Sequence, residues 1–97
     1  MNIQHKSDET EGVFFIEQDG KAIGKLTYNF SGGTKLVIDH TEVSPKHKGE
    51  GLGKELVKAA VEFARKNNYK LLPVCPYAKV ILLGTKEYAD VLVPGIV

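Results

Sequence analysis

Gly49, Gly51 and Gly53 alternate through the segment Val43-Ser44-Pro45-Lys46-His47-Lys48-Gly49-Glu50-Gly51-Leu52-Gly53-Lys54. The pattern of apolar residues on either side places this segment between a strand and a helix. At such a junction the first amides of the helix lack main-chain partners, and the positive end of the helix dipole adds to them, which suits an anion. Glycine lets a phosphate approach the backbone and allows the positive φ angles that turn successive N–H groups inward. Lys48 and Lys54 add charge. A plain glycine-rich connection with solvated lysines is the alternative, but glycine at every second position exceeds what a turn requires. A Walker loop is a poor fit, because Lys48 stands where its first glycine belongs and Glu55 where its hydroxyl belongs. The dinucleotide fingerprint also fails. It cannot be extended through Lys54, and the acidic ribose partner expected about 20 residues on is replaced by Asn68-Tyr69-Lys70.

The other reactive side chains lie on strand-like segments. Alternation along residues 36–43 puts Leu36, Ile38, His40 and Glu42 on one face, and Val37, Asp39, Thr41 and Val43 on the other. His40 and Glu42 are then neighbours on an otherwise apolar side. A histidine titrates near neutrality and suits a base that deprotonates an ammonium. The alternative is a hydrogen-bonded core histidine with Glu42 pairing locally. Cys75 ends a second strand just before Pro76 opens a helix, and a thiol there can have a lowered pKa. Lone cysteines are otherwise small buried hydrophobes. Tyr77 reads equally as a proton donor or a core ring. His5 falls in a polar terminus expected to be mobile, and His47 sits between lysines, expected to be solvated. No His/Asp/Glu spacing suggests a metal.

The elements that must position these residues follow from period and punctuation. Val13 to Glu17 is strand-like and stops at Asp19-Gly20, a strong two-residue hairpin signal. Lys21 to Phe30 returns, with Gly24 marking a bulge. Ser31-Gly32-Gly33 turns again into strand 36–43. From Gly51 to about Asn67 the apolar residues Leu52, Leu56, Val57, Ala60, Phe63 and Ala64 recur at helical steps. Residues 69–75 form another strand, parallel to 36–43 through a right-handed crossover. Pro76 starts a further helix through about Leu83, and Thr85 caps a last turn through Asp90. The fold class is α/β: a mixed, mostly antiparallel sheet with a central β-α-β unit, in one domain spanning 1–97.

Composition narrows the setting. The chain has 97 residues, 42% of them hydrophobic and 26% charged, which is globular composition with room for one core. Its single cysteine rules out an internal disulfide and points to a reducing compartment. No signal sequence or membrane span is legible, so a soluble cytoplasmic protein is expected. The net charge of +1 favours neither nucleic acid nor membrane. Charge is uneven, however. Residues 1–20 set one lysine against five acids, while residues 44–70 set seven bases against three acids. The basic excess surrounds the glycine cluster, pointing to a small anion.

Lys48-Gly49-Glu50-Gly51-Leu52-Gly53 resembles the Arg/Gln-x-x-Gly-x-Gly/Ala pyrophosphate loop of the Gcn5-related N-acetyltransferases, with lysine in place of arginine or glutamine. His40-Thr41-Glu42-Val43, the loop, and Cys75-Pro76-Tyr77 in this order resemble a subfamily of very short acetyltransferase-like proteins. The resemblance covers about residues 13–90. It implies the compact fold of that family and binding of acetyl-coenzyme A as co-substrate, without a metal. The pantetheine arm would lie between splayed strands, paired with main-chain groups of Glu42, Val43 and Ser44. The amides of Lys48, Gly49, Glu50, Gly51, Leu52, Gly53 and Lys54 would hold the pyrophosphate.

Acetyl transfer to an amine needs a neutral nucleophile, a polarised carbonyl and a proton for the leaving thiolate. His40, with Glu42, is the candidate base. Cys75 would protonate the coenzyme thiolate or accept the acetyl group covalently, and Tyr77 is a second candidate donor. The sequence departs from the larger family in two ways. Cys75-Pro76-Tyr77-Ala78 replaces Asn-x-x-Ala, with Ile81 and Leu82 where a general-acid tyrosine commonly follows. Only Asp19-Gly20 stands where larger members insert the helices that shape the acceptor pocket. An open cleft would admit a bulky acceptor such as a protein amine. A non-catalytic coenzyme A or acyl-coenzyme A module is the rival reading. A nucleic-acid binder is a weaker one, since no aromatics interleave the basic residues.

Overall fold

A computed structural model describes residues 2–95. Five strands lie in sequence order, β1 Ile3–Ser7, β2 Glu11–Gln18, β3 Lys21–Ser31, β4 Lys35–Val43 and β5 Lys70–Pro73. The first four pair antiparallel, and β5 pairs parallel with β4 from Lys35↔Lys70 to Ile38↔Pro73. Helix α1, Leu52–Asn67, makes the crossover, and α2, Pro76–Gly84, follows β5. The mixed, mostly antiparallel sheet and the β-α-β unit stand as expected. No helix among the described residues is long and apolar enough to cross a membrane.

Residue type dictates the junctions. Asp19 and Gly20 adopt φ of 52° and 77°, the left-handed pair that a two-residue hairpin demands. The register slips between Ile16 and Glu17, leaving Ile23 as the extra residue beside Gly24. Helix α1 starts after Gly51 and stops at Asn68, both left-handed. Its buried stripe of Leu52, Leu56, Val57, Ala60, Val61 and Ala64 joins Phe14, Ile16, Leu26, Tyr28, Leu36 and Ile38 of the sheet in one core. Ala78 and Leu82 of α2 belong to the same core. Thr85 holds the N-cap position of the final 3-10 turn, Lys86–Val91, with its carbonyl accepting from Tyr88 N–H at 3.0 Å. Its hydroxyl does not cap and donates back to Ile81 O at 2.8 Å.

The N-terminal segment departs from expectation. Residues 3–7 form an edge strand, and His5 is part of the structure. Its ring stacks on Phe14 at 4.1 Å, meets Phe63 edge-on at 4.7 Å, and hydrogen-bonds the Tyr28 hydroxyl. The outer side of the residue stays exposed. Desolvation holds its pKa below 6.5. The unfolded chain therefore binds more protons than the folded one as pH falls below 6.5, and stability declines in that window. Thermal unfolding should show a midpoint that drops on acidification from pH 7 to 5.5. His5→Gln should flatten that part of the profile, and an unchanged profile would refute this role for His5.

Candidate functional site

The site grows from an interruption in the sheet. Val74 and Cys75 both donate their N–H to Ile38 O, at 2.9 and 3.0 Å, and β5 ends there. Beyond Ile38, β4 continues to Val43 with no strand on that side among the described residues. Ser44 N–H donates to Ile23 O at 2.8 Å, so ladder alternation turns the peptide groups of Glu42 toward β3 and those of Val43 and Thr41 toward the gap. This corrects part of the expected pairing set. Glu42 faces β3, and Ser44 is engaged at both main-chain groups, its carbonyl accepting from His47 N–H at 2.9 Å. Thr41 and Val43 hold the free edge.

A bulge sets the phase of β4. Tyr28 pairs with Ile38 and Thr27 with His40, leaving Asp39 as the extra residue. Its carboxylate accepts from the Thr27 hydroxyl and the Asn29 amide, at 2.5 and 3.2 Å. The extra residue moves everything after it to the opposite face. His40 and Glu42 therefore do not share the side of Leu36 and Ile38. They lie on the open face, each side chain 59% exposed, with Nε2 and Oε2 3.6 Å apart and Lys25 Nζ 3.7 Å from Glu42. Thr41, absent from the residues picked out by alternation, takes the inward place. The available signal was Asp39 itself, a residue type depleted from strands.

At the other end of the gap, Gly49 and Gly51 take φ of 89° and 79°. Among the described residues, no acceptor takes the N–H of Gly49 or those of Gly51, Leu52, Gly53 and Lys54. Lys48 and Glu50 are different, since their N–H groups go to Pro45 O and His47 O at 3.5 and 3.3 Å. Lys48 and Lys54 are exposed. His47 is not solvated; it is half-buried and pairs with Glu50 at 3.2 Å. A cavity of about 490 Å³ joins the loop to the free β4 edge, lined by His47, Lys48 and Gly49 of the loop, Thr41 and Val43 of the strand, and Tyr77, whose ring packs against Gly53.

Cys75 lies behind Thr41, 8% exposed, with Sγ 3.7 Å from the Thr41 hydroxyl. As the residue that caps α2, it has the amides of Tyr77 and Ala78 pointing toward its sulfur without a full capping hydrogen bond. Burial raises the thiol pKa and is the largest single influence. The Ala78 amide, the Thr41 hydroxyl, and the Tyr77 and Thr41 amides together outweigh it, so the thiol ionises below its ordinary value. Cys75 is thus a buried thiol of lowered pKa set behind Thr41, a residue that lines the cavity.

Comparison with known proteins decides the family. The family model for GCN5-related N-acetyl-transferase matches residues 13–91. The chain belongs to that family. An N-acetyltransferase function goes with the membership. A GCN5-like protein from Staphylococcus aureus, solved in solution by NMR, is 39% identical, with a TM-score of 0.74 over 95% of this chain and 89% of that one. Protein NATD1 of Gallus gallus is 31% identical over 78 residues, 77% of this chain and 69% of its own length. Nourseothricin acetyltransferase is 31% identical with a TM-score of 0.56; the match covers 66% of this chain and 39% of that larger one. The family membership and the family's fold agree with what the loop and the strand ends implied.

Proposed function

We propose that residues 1–97 act as one domain that binds acetyl-coenzyme A and transfers its acetyl group to an amine, in a reducing, cytoplasmic setting that keeps Cys75 a free thiol. One observation carries this reading: the free amides of Gly49 and of Gly51 to Gly53 and the strandless edge of β4 at Thr41 and Val43 line the same cavity. The first group suits a pyrophosphate. The second suits the amides of a pantetheine arm added as a strand would be.

Cys75 is the acyl acceptor in this scheme. Its thiolate attacks the thioester carbonyl, the bond to the coenzyme sulfur breaks, and the coenzyme leaves as thiolate and is protonated. The amine then attacks the Cys75 thioester and releases the sulfur, while its proton passes to a base. His40, beside Glu42 on the open face, is placed to meet an acceptor arriving from solvent. Tyr77 contributes its position in the cavity wall. The hairpin at Asp19-Gly20 adds no covering helix between β2 and β3, which leaves room for a protein amine.

Titration with acetyl-coenzyme A and then coenzyme A, followed by amide shifts and intact mass, tests this. Shifts should centre on 41–54 and 75–77, with a gain of one acetyl mass that Cys75→Ala abolishes. Absence of shifts at millimolar ligand would overturn the reading. Saturable binding with no acetyl mass and no acetylated amine would favour a non-catalytic coenzyme A module, consistent with the missing acceptor helices.

A further inference from the structure

Gly53 differs from the two glycines before it. Gly49 and Gly51 take positive φ, whereas Gly53 lies inside the first turn of α1 and outside the left-handed region. Alanine is the stronger helix former, so conformation alone gives no reason for glycine there. The reason is a phenol hydroxyl. A Cβ on Gly53 would stand 2.2 Å from the Tyr77 hydroxyl oxygen, nearer than to Cζ at 2.6 Å or Cε1 at 2.7 Å. It is the polar tip of Tyr77, reaching over from the first turn of α2, that rests on the first turn of α1.

The side from which the hydroxyl approaches is decided by helix geometry. Each Cα–Cβ bond of a helix tilts toward the N-terminus, and the unpaired amides of the first turn point the same way. An oxygen crowding the place of a Gly53 Cβ therefore lies toward the end of α1 that the N–H groups of Leu52, Gly53 and Lys54 face. None of these three has an acceptor among the described residues, and neither has the Tyr77 O–H. Gly49, Gly51, Leu52, Gly53 and Tyr77 also line one cavity. Donors from two helices thus gather at one helix end, and no protein acceptor stands among them.

We propose that Tyr77 is a coenzyme-binding residue whose hydroxyl donates to the pyrophosphate held at the start of α1, alongside the main-chain amides. The inference rests on the acetyl-coenzyme A reading above. It assigns Tyr77 to the anion and not to the proton that the leaving thiolate needs. Gly53 then has a use of its own: it admits a side-chain donor from α2 into a cradle otherwise built of backbone.

Isothermal titration of the wild type and Tyr77→Phe with coenzyme A and acetyl-coenzyme A tests this. Tyr77→Phe should weaken both ligands by the same factor, about tenfold or more, the scale for losing one hydrogen bond to a charged group. The residue is 40% exposed and its ring is kept, so the variant should melt within about 4 °C of wild type. Phosphorus NMR of bound coenzyme A at saturation should show the pyrophosphate resonances displaced between the two proteins and the ribose phosphate resonance unmoved.

Equal affinity in wild type and Tyr77→Phe, or a weakening confined to the acetyl thioester, overturns the proposal and leaves the coenzyme reading intact. A loss of affinity with the pyrophosphate resonances unmoved overturns it as well, because the hydroxyl then acts elsewhere on the ligand. If the wild type binds neither ligand, the coenzyme reading fails and this assignment fails with it.

Discussion

Gly51→Val should weaken acetyl-coenzyme A at least about a hundredfold, with the fold retained. Gly51 caps α1 at φ 79°, ψ 14°, a conformation that a β-branched residue resists. Around it are the N–H groups of Gly49 and of Leu52, Gly53 and Lys54, none of which has a partner among the described residues. Hydrogen bonds to a charged group contribute about 1.5–3 kcal/mol each, so misaligning two of them accounts for the expected loss. The substitution meets no crowding, since nothing lies within 4 Å of a Cβ at this position. Its stability cost is then the left-handed backbone alone, about 1–2 kcal/mol. Lys48→Ala and Lys54→Ala remove exposed charges and should cost only severalfold each. If the lysines proved dominant and Gly51→Val bound within threefold of wild type, the site would be a basic patch and not a main-chain cradle.

What was legible in the sequence divides along physical lines. Wherever a residue type itself carries the conformational demand, reading succeeds. Asp19-Gly20, the glycine loop and the helix stop at Asn68 all encode left-handed backbone in their side chains, or in the lack of one. The amphipathic stripe of α1 is equally local, and it positioned the loop correctly. Alternation along β4 failed because it assumes an uninterrupted ladder. One bulged residue, Asp39, reverses the phase, sends His40 and Glu42 to the open face and brings Thr41 inward against Cys75. The first strand failed for a different reason. Residues 3–7 carry little periodicity, and their order depends on the His5 ring finding Phe14, Phe63 and Tyr28 at distant positions. The glycines also misled in one respect. Gly53 sits in the same alternating row as Gly49 and Gly51, yet only the folded chain reveals that it makes space for Tyr77.

A second glycine of that spacing kind predicts the larger stability effect. Gly12→Ala should lower the unfolding free energy by about 3 kcal/mol, toward the upper end of what overpacking a core costs. A Cβ on Gly12 would stand 2.3 Å from the Tyr28 hydroxyl oxygen and 2.4 Å from Cζ. Tyr28 is 1% exposed and is held among Phe14, Phe30 and Phe63, with ring centroids at 5.7, 5.7 and 6.0 Å. Unlike Tyr77, it has no open side toward which to swing. Displacing it also strains the hydrogen bond that ties His5, and with it β1, to the sheet. For a chain of this size the loss corresponds to a fall of roughly 12–24 °C in the melting midpoint. Gly12 is not in the left-handed region, so the whole effect is steric. Tyr28→Phe in the same chain distinguishes the cause. It removes the oxygen but leaves the ring carbon at its clashing distance, so it should not restore stability to Gly12→Ala. Full rescue would show that crowding of the hydroxyl, and not of the ring, is what glycine at position 12 relieves.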